Sequence, residues 1–315
     1  MTTSADTTPD ATVRSRGGSD AVRLSILLVN YNGMRYLEPC LESIRCYAPV
    51  GSEVILEDNA STDGSPEVAQ ERFPHIQVIR SDRNLGFSAG NNLAGKSARG
   101  RFLLLLNTDT LLLEPLAPVI DWLESHVDYG ALTISMLDGQ RVLRACTGRF
   151  PTVPRLALLR SMLVAPETYG AEQAYDVDWM QGSFLLIRSD LWRALDGLDE
   201  RYFMYAEDLD LSKRVHDAGF RCAYLPQWKY LHWGGFSTSR FPNLLCSFSI
   251  YVDKHMLGFE RYLAQFVLLA GCLLRAAAYR CKAVLSGNAG DRSNATAFWQ
   301  AWKALLRRKH RGNSD

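Results

Sequence analysis

From residue 24 onward, short apolar runs alternate with stretches that carry helical signals. Residues 24–29, 53–57, 76–79 and 102–106 are each of strand length. They lack the polar alternation of a half-exposed strand, which marks strands covered on both faces. Strands of this kind alternating with helices predict an α/β layer fold with a mainly parallel sheet. Ser65, Pro66 and Glu67 place a hydroxyl cap, a first-turn proline and a first-turn acid in sequence, so a helix is expected to begin there and run toward Phe73. Further helices are expected after Gly86, over residues 111–126 and over residues 209–218, with a buried strand over 178–188. Beyond about Arg240 the alternation stops and residues 244–284 are helical in composition.

Composition refines this picture. The first 20 residues are rich in Thr, Ser, Asp and Gly and cannot offset the entropy of ordering, so residues 1–22 are expected to form a disordered tail. The remainder divides into an expected catalytic domain over 23–240 and a helical extension over 241–315. The net charge of +1 conceals an asymmetry: residues 241–315 hold eleven Lys or Arg against four Asp or Glu, a net of +7, leaving −6 for the rest. The seven cysteines form no C-x-x-C pair, their number is odd, and no apolar export segment precedes them. A cytoplasmic location fits these features. The longest apolar run, 266–274, is interrupted by Arg275 and falls short of the ~20 residues of a spanning helix.

In an open parallel sheet, ligands bind at the carboxyl ends of the strands. Four consecutive strand ends here are polar: Asn30-Tyr31-Asn32-Gly33, Asp58-Asn59-Ala60-Ser61-Thr62-Asp63-Gly64, Arg83-Asn84-Leu85-Gly86 and Asn107-Thr108-Asp109. Asp58 suits the imide N–H of a uracil or thymine, Arg83 suits phosphate, and Asn107 and Asp109 offer hard oxygens to Mg²⁺ or Mn²⁺. Each group taken alone is equally compatible with a turn or a helix cap. A second acidic group, Glu207-Asp208, opens a predicted helix, where acids also stabilise the helix dipole without any catalysis. Asp210 and Arg214, four residues apart, read as a helix-face ion pair.

Taken in order, these pieces resemble the family 2 glycosyltransferases. The matching segments are Val29-Asn30-Tyr31-Asn32, Asp58 to Ser65, Asn84 to Asn92, Leu106-Asn107-Thr108-Asp109, Gly182-Ser183-Phe184 and Glu207 to Leu211. The resemblance implies a GT-A fold with a Rossmann-like sheet, a nucleotide-diphosphate sugar donor and a divalent metal. It implies that Asp58 binds the base, that Asn30, Asn59 and Asp63 lie nearby, and that Asn84 and Gly86 shape the floor. Asp109 is then the acid that meets the metal. The family's Asp-x-Asp signature reads Asn107-Thr108-Asp109 here, with a neutral first position of the kind seen in rhamnosyltransferase-like members. By the same resemblance one of Glu207 and Asp208 is the base of an inverting transfer, with Asp208 favoured, and His232 is a metal or diphosphate ligand. Trp179, Gln181 and Gly182 are expected beside the sugar and acceptor, where Gly182 admits close backbone approach and Trp179 can stack on a sugar face. The Gln-x-x-Arg-Trp motif of processive synthases is absent.

The implied activity is transfer of L-rhamnose from dTDP-L-rhamnose to a glycan or polyprenyl-linked hydroxyl. The alternatives are a UDP-hexose or UDP-N-acetylhexosamine donor and a catalytically silent binding partner. A sugar nucleotidyltransferase would need a Gly-rich, Arg-containing loop where Asn30-Tyr31-Asn32-Gly33 stands. Residues 261–282 and the basic run at 307–311 have the composition of a helix on an anionic membrane surface. Packing of that stripe on the catalytic domain is the alternative. No nucleic-acid motif accompanies the basic residues.

Overall fold

A computed structural model describes residues 22–158, 163–170, 172–234 and 241–311. The expected N-terminal tail therefore lies, apart from Val22, outside the described residues. In chain order the elements are β1 (Leu24–Asn30), α1 (Met34–Tyr47), β2 (Glu53–Asp58), α2 (Ser65–Arg72), β3 (Gln77–Arg80), α3 (Gly86–Ser97) and β4 (Phe102–Asn107). Next come β5 (Thr110–Leu112), α4 (Ala117–Ser125), β6 (Tyr129–Leu137), β7 (Leu143–Arg144), β8 (Thr147–Gly148) and α5 (Val153–Ala157). They are followed by β9 (Tyr175–Val177), β10 (Trp179–Met180), β11 (Phe184–Arg188), α6 (Ser189–Ala194), α7 (Glu207–Asp217) and β12 (Arg221–His232). Three helices close the chain: α8 (Phe241–His255), α9 (Gly258–Ser286) and α10 (Ala289–Arg311).

The main sheet runs β3-β2-β1-β4-β11-β6-β12-β5, with β7 added to β6 and β9 to β12. The strands β3, β2, β1 and β4 are mutually parallel, whereas β11 runs antiparallel to both its neighbours. Parallel pairing is thus concentrated in the N-terminal half, where β1, β4 and the C-terminal part of β2 are buried; β3, at the sheet edge, is partly exposed, so the expected cover on both faces fails there. The chain order reverses between β1 and β4, so the strand ends open a crevice there.

Several boundaries differ from the sequence pattern. The run at 178–188 is two strands, because Gln181 N–H bonds Cys146 O and Gly182 N–H turns to Asp208, and β10 pairs with β8 in a separate sheet. The expected helix over 111–126 begins as β5, which pairs with β12; α4 starts only at Ala117, with Pro118 in its first turn. Pro115 biases Glu114 before it away from the helical region, which delays that start. Helix α2 does begin at Ser65, but the N–H of Ser65 is capped by Asp63 Oδ1 at 3.0 Å, and Ser65 itself is helical.

Two cores hold the chain together. One lies on both faces of the sheet and includes Leu24, Leu27, Leu56, Phe102, Leu104 and Phe184. The second joins α8, α9 and α10 to α5 and to Tyr202, Ala206 and Leu209, so the C-terminal helices share apolar packing with the segment that carries the acidic pair. Helix α9 is 29 residues long and, by length and composition alone, apolar enough to cross a membrane. The apparent interruption at Arg275 does not break its outer surface, because Arg275 is half-buried and donates to Ala157 O on α5.

Candidate active site

Sheet register brings the strand ends onto one rim. Asn30 pairs with Asp58, Val29 with Asn107, and Asn107 N–H bonds Ser183 O. With neighbouring strands about 4.8 Å apart, Asp58 and Asn107 stand roughly 10 Å from each other across β1.

At the β2 end, Asp58 is 3% exposed. Its Oδ1 accepts from Asn30 Nδ2 at 2.8 Å and its Oδ2 from Ser61 N–H at 3.0 Å. Asn30 Nδ2 also reaches Ser65 Oγ at 2.8 Å, while Asn30 Oδ1 is buried with no hydrogen-bond partner among the described residues. Asn59 spends both ends of its amide on the next loop, accepting from Leu85 N–H and donating to Gly86 O. Asp63 accepts from Met34 N–H and from Ser65. Burial pushes the Asp63 carboxyl up, but these hydrogen bonds prevail and hold it below its ordinary value. Asn59 and Asp63 therefore shape the pocket wall.

Asn84 Oδ1 accepts from Gly86 N–H, and Gly86 adopts φ +84°, a left-handed turn that favours glycine. A Cβ there would meet Phe203 O at 2.4 Å, and Phe87 N–H bonds the same oxygen. The floor is thereby fastened to the segment before the acidic pair. Arg83 is exposed on this loop.

At the β4 end, Asp109 Oδ1 and His232 Nε2 stand 3.2 Å apart, both partly exposed. Gly234 keeps the adjoining space clear: a Cβ there would lie 2.5 Å from Asp109 Oδ2 and 2.7 Å from His232 Nε2. One carboxylate and one imidazole facing a cleared space fit a divalent ion that takes its remaining ligands from phosphate and water. No group of three or more metal-ligating side chains occurs among the described residues.

The acidic pair opens α7. Tyr205 and Ala206, immediately before it, have φ +73° and +62°, a strained left-handed pair of the kind that concentrates at functional sites. Asp208 is half-buried; its Oδ2 accepts from Gly182 N–H at 2.9 Å and its Oδ1 from Leu209 N–H. Burial raises its carboxyl above the ordinary value, with those two N–H groups opposing. Glu207 is buried, and its Oε2 has no partner among the described residues. Burial, then the neighbouring charges of Asp208 and Asp210, push Glu207 well above the usual carboxylate range. The two environments differ: Glu207 is the more deeply buried and lacks a partner for Oε2 among the described residues, whereas Asp208 is held by two N–H groups.

Trp179 lies farther out, packed on the second core with its Nε1 donating to Arg149 O. Gln181 Oε1 is buried with no partner among the described residues. A cleft of about 770 Å³ lies elsewhere, along the C-terminal half of α3, lined by Lys96, Asp199, Arg214 and Lys254 among others, and no strand-end group borders it. Sequence reasoning missed Ser61, Ser65 and Gly234. Ser61 and Ser65 fall inside the Asp58–Ser65 segment, whereas nothing local marks Gly234.

Residues 25–143 match the family described as Glycosyl transferase family 2. Over that segment the chain is similar to the family. It is 29% identical over 249 residues to the N-acetylglucosaminyl-diphospho-decaprenol L-rhamnosyltransferase of Mycobacterium tuberculosis, covering 70% of this chain and 78% of the relative. It is 25% identical over 257 residues to the rhamnosyltransferase WbbL of Escherichia coli, covering 78% and 94%. Among solved structures, the mannosyltransferase PcManGT from Pyrobaculum calidifontis in complex with GDP-Man and Mn²⁺ superposes with a TM-score of 0.57 over 92% of this chain and 88% of that one, at 19% identity. That likeness establishes the GT-A fold expected above.

Proposed function

We propose that the chain is an inverting, non-processive transferase that moves L-rhamnose from dTDP-L-rhamnose to a hydroxyl of a polyprenyl-diphosphate-linked glycan. Residues 23–240 would form the catalytic domain and 241–315 a helical extension. The observation that carries the chemistry is the rim itself: a buried base-binding carboxylate at Asp58, a cleared Asp109–His232 pair, and Asp208 on a strained helix start. The rhamnosyl donor is favoured by the likeness to the two rhamnosyltransferases.

The base pocket is Asp58, oriented by Asn30 and Ser61 and walled by Asn59, Asp63, Asn84 and Gly86, with Arg83 and Asn107 flanking the diphosphate. Asp109 and His232 would hold Mg²⁺ or Mn²⁺, whose contribution when bound is to neutralise charge on the leaving diphosphate. Asp208 takes the proton of the acceptor hydroxyl as its oxygen attacks the anomeric carbon, on the face opposite the nucleotide. The new C–O bond forms as the bond to the diphosphate oxygen breaks, and the nucleoside diphosphate leaves with that electron pair. Gly182 N–H fixes the Asp208 carboxylate during this step, and Gln181 Oε1 supplies an acceptor for a sugar or acceptor hydroxyl, with Trp179 at the outer edge.

Helix α9 supports a membrane location at the inner face of the cytoplasmic membrane. Its buried stripe is Ala264, Leu268, Cys272 and Ala276, and its opposite face exposes Phe259, Tyr262, Phe266, Leu273, Leu274 and Leu285. The positive balance of residues 241–315 complements anionic lipid. None of the seven cysteines, all of them among the described residues, is joined in a disulfide, which suits a reducing compartment.

The test is release of dTDP from dTDP-L-rhamnose with an N-acetylglucosaminyl-diphosphate polyprenol acceptor and Mn²⁺. Acceptor-dependent release with a rhamnosylated lipid product supports the reading. Turnover of UDP-N-acetylglucosamine or a UDP-hexose, and not of dTDP-L-rhamnose, would replace the donor. Binding without turnover of any nucleotide sugar would leave a silent partner protein.

A further inference from the structure

Two residues beyond Asp208, the carboxylate of Asp210 is completely buried, and four side chains converge on it. His255 Nε2 lies 2.7 Å from Oδ1 and Lys254 Nζ 2.8 Å from the same oxygen. Arg214 Nε lies 2.8 Å from Oδ2, and Tyr202 OH donates to Oδ1 at 3.4 Å. Lys254 also bonds Asp199 Oδ2 at 2.7 Å. Arg214 belongs to the same helix as Asp210 and continues to Leu195 O and Gly197 O. Lys254 and His255 come from the last turn of α8, a different element of the C-terminal region.

A buried charge persists only where it is paired and hydrogen-bonded. Here the pairing ties the first turn of α7 to α8. Burial pushes the Asp210 carboxyl up, but the hydrogen bonds from His255 and Lys254 and the charges of Arg214 and Lys254 outweigh it and hold the group ionised.

The same helix grips the other flank of the acidic pair. Ser247 Oγ on α8 donates to Met204 O at 3.2 Å, and Leu245, Phe248, Tyr251 and Val252 share a core with Tyr202, Ala206 and Leu209. Between these two grips lie Tyr205 and Ala206 in the left-handed region, then Glu207 and Asp208. Residues held in that region are strained and persist only where their surroundings over-determine them. Helix α8 supplies those surroundings. On the nucleotide side of the rim, Asn30, Asp58, Asp63 and Asn84 bond residues of the β1, β2 and β3 loops, and the floor meets the braced segment through Phe87 N–H on Phe203 O.

We propose that Asp210, Lys254 and His255 are positioning residues that make α8 a brace for the base, so that the C-terminal helices set the aim of Asp208 at the acceptor hydroxyl without contributing to donor binding. This rests on Asp208 acting as the base.

The test compares His255→Phe, His255→Gln and Ser247→Ala in the full chain, with dTDP binding by calorimetry and turnover of dTDP-L-rhamnose with the lipid acceptor, below the melting temperature of each variant. Misplacement of a reacting group by an ångström costs about 10²-fold in rate. His255→Phe is expected to lower kcat by about that factor, with dTDP affinity and donor KM unchanged. His255→Gln, which keeps a donor for Asp210 Oδ1, is expected to recover most of the rate. Ser247→Ala, a milder change that should leave the fold intact, is expected to lower kcat in the same direction. A lowered melting temperature with kcat unchanged in both His255→Phe and Ser247→Ala would reduce the cluster to a stabilising role and overturn the proposal, as would a loss confined to dTDP binding. Full activity in Asp208→Asn would instead overturn the assignment of the base, independently of the brace.

Discussion

At the nucleotide end of the rim, Asn30→Asp is a sharp perturbation because it changes charge without changing shape. The Asn30 side chain is completely buried, and its Nδ2 stands 2.8 Å from Asp58 Oδ1. The substitution places a carboxylate oxygen at that point. Two unit charges at such a separation repel by about 6 kcal/mol at an effective dielectric of 20. The pair escapes this by retaining one proton, which costs about 1.4 kcal/mol for each pH unit above the ordinary value near 3.9, hence about 4 kcal/mol at pH 7 and about 1.5 kcal/mol at pH 5. Retention is the cheaper course at both pH values and sets the penalty. The folded pair then has a raised pKa, so the stability it has below the unfolded value is lost progressively as pH rises toward the folded one. Urea unfolding across this range is expected to show the gap between wild type and Asn30→Asp widening by about 1.4 kcal/mol per pH unit. A gap independent of pH would refute the pairing of residue 30 with Asp58.

Three further outcomes follow from the geometry. Asp208→Asn is expected to lower kcat by about 10²–10⁴-fold while dTDP affinity holds, and because the Asp208 carboxyl is raised by burial, wild-type kcat should fall on the acid side as it protonates; unchanged kcat in the variant contradicts its role as base. Glu57, completely buried on β2, is pushed up to about 7 by burial, against a hydrogen bond from Ser81 and with a smaller contribution from the neighbouring Asp58. Its raised value means stability present below pH 4.5 and lost as pH climbs to about 7, so Glu57→Gln should gain on wild type by about 1–3 kcal/mol between pH 5 and 8 in urea unfolding. Charging the outer face of α9 by Phe266→Asp with Leu274→Asp should abolish sedimentation with vesicles of anionic lipid while leaving dTDP binding intact; retained sedimentation would place the membrane contact elsewhere.

The parts of this site that were legible in the sequence share a physical cause. Parallel strands covered on both faces read as unbroken apolar runs, so β1, β2 and β4 and the polar residues after them were visible, and Asn30, Asp58, Asn107 and Asp109 emerged on one rim; the run at 76–79 is also a strand, but the partly exposed edge strand β3. What stayed hidden depends on contacts between distant segments. The break between β10 and β11 arises because Gln181 and Gly182 bond Cys146 and Asp208, not because of any local turn signal. Asp210 and Arg214 were legible as a helix pair at 2.8 Å, but their burial and the donors Lys254 and His255 lie 44 and 45 residues away in sequence and belong to tertiary packing. The inward turn of Arg275 hid the length of the apolar face of α9 in the same way.

The central claim, a nucleotide-diphosphate sugar held on this rim through Asp109, is tested most directly by a thermal-shift panel with Mn²⁺ and each of dTDP, UDP, GDP, CMP and dTDP-L-rhamnose, on wild type and Asp109→Ala. A ligand that binds only the native state at 100 times its Kd stabilises it by about 2.7 kcal/mol. The account predicts a metal-dependent rise in Tm with dTDP and dTDP-L-rhamnose that disappears in Asp109→Ala. No shift with any nucleotide, or a shift indifferent to both metal and Asp109, would contradict it.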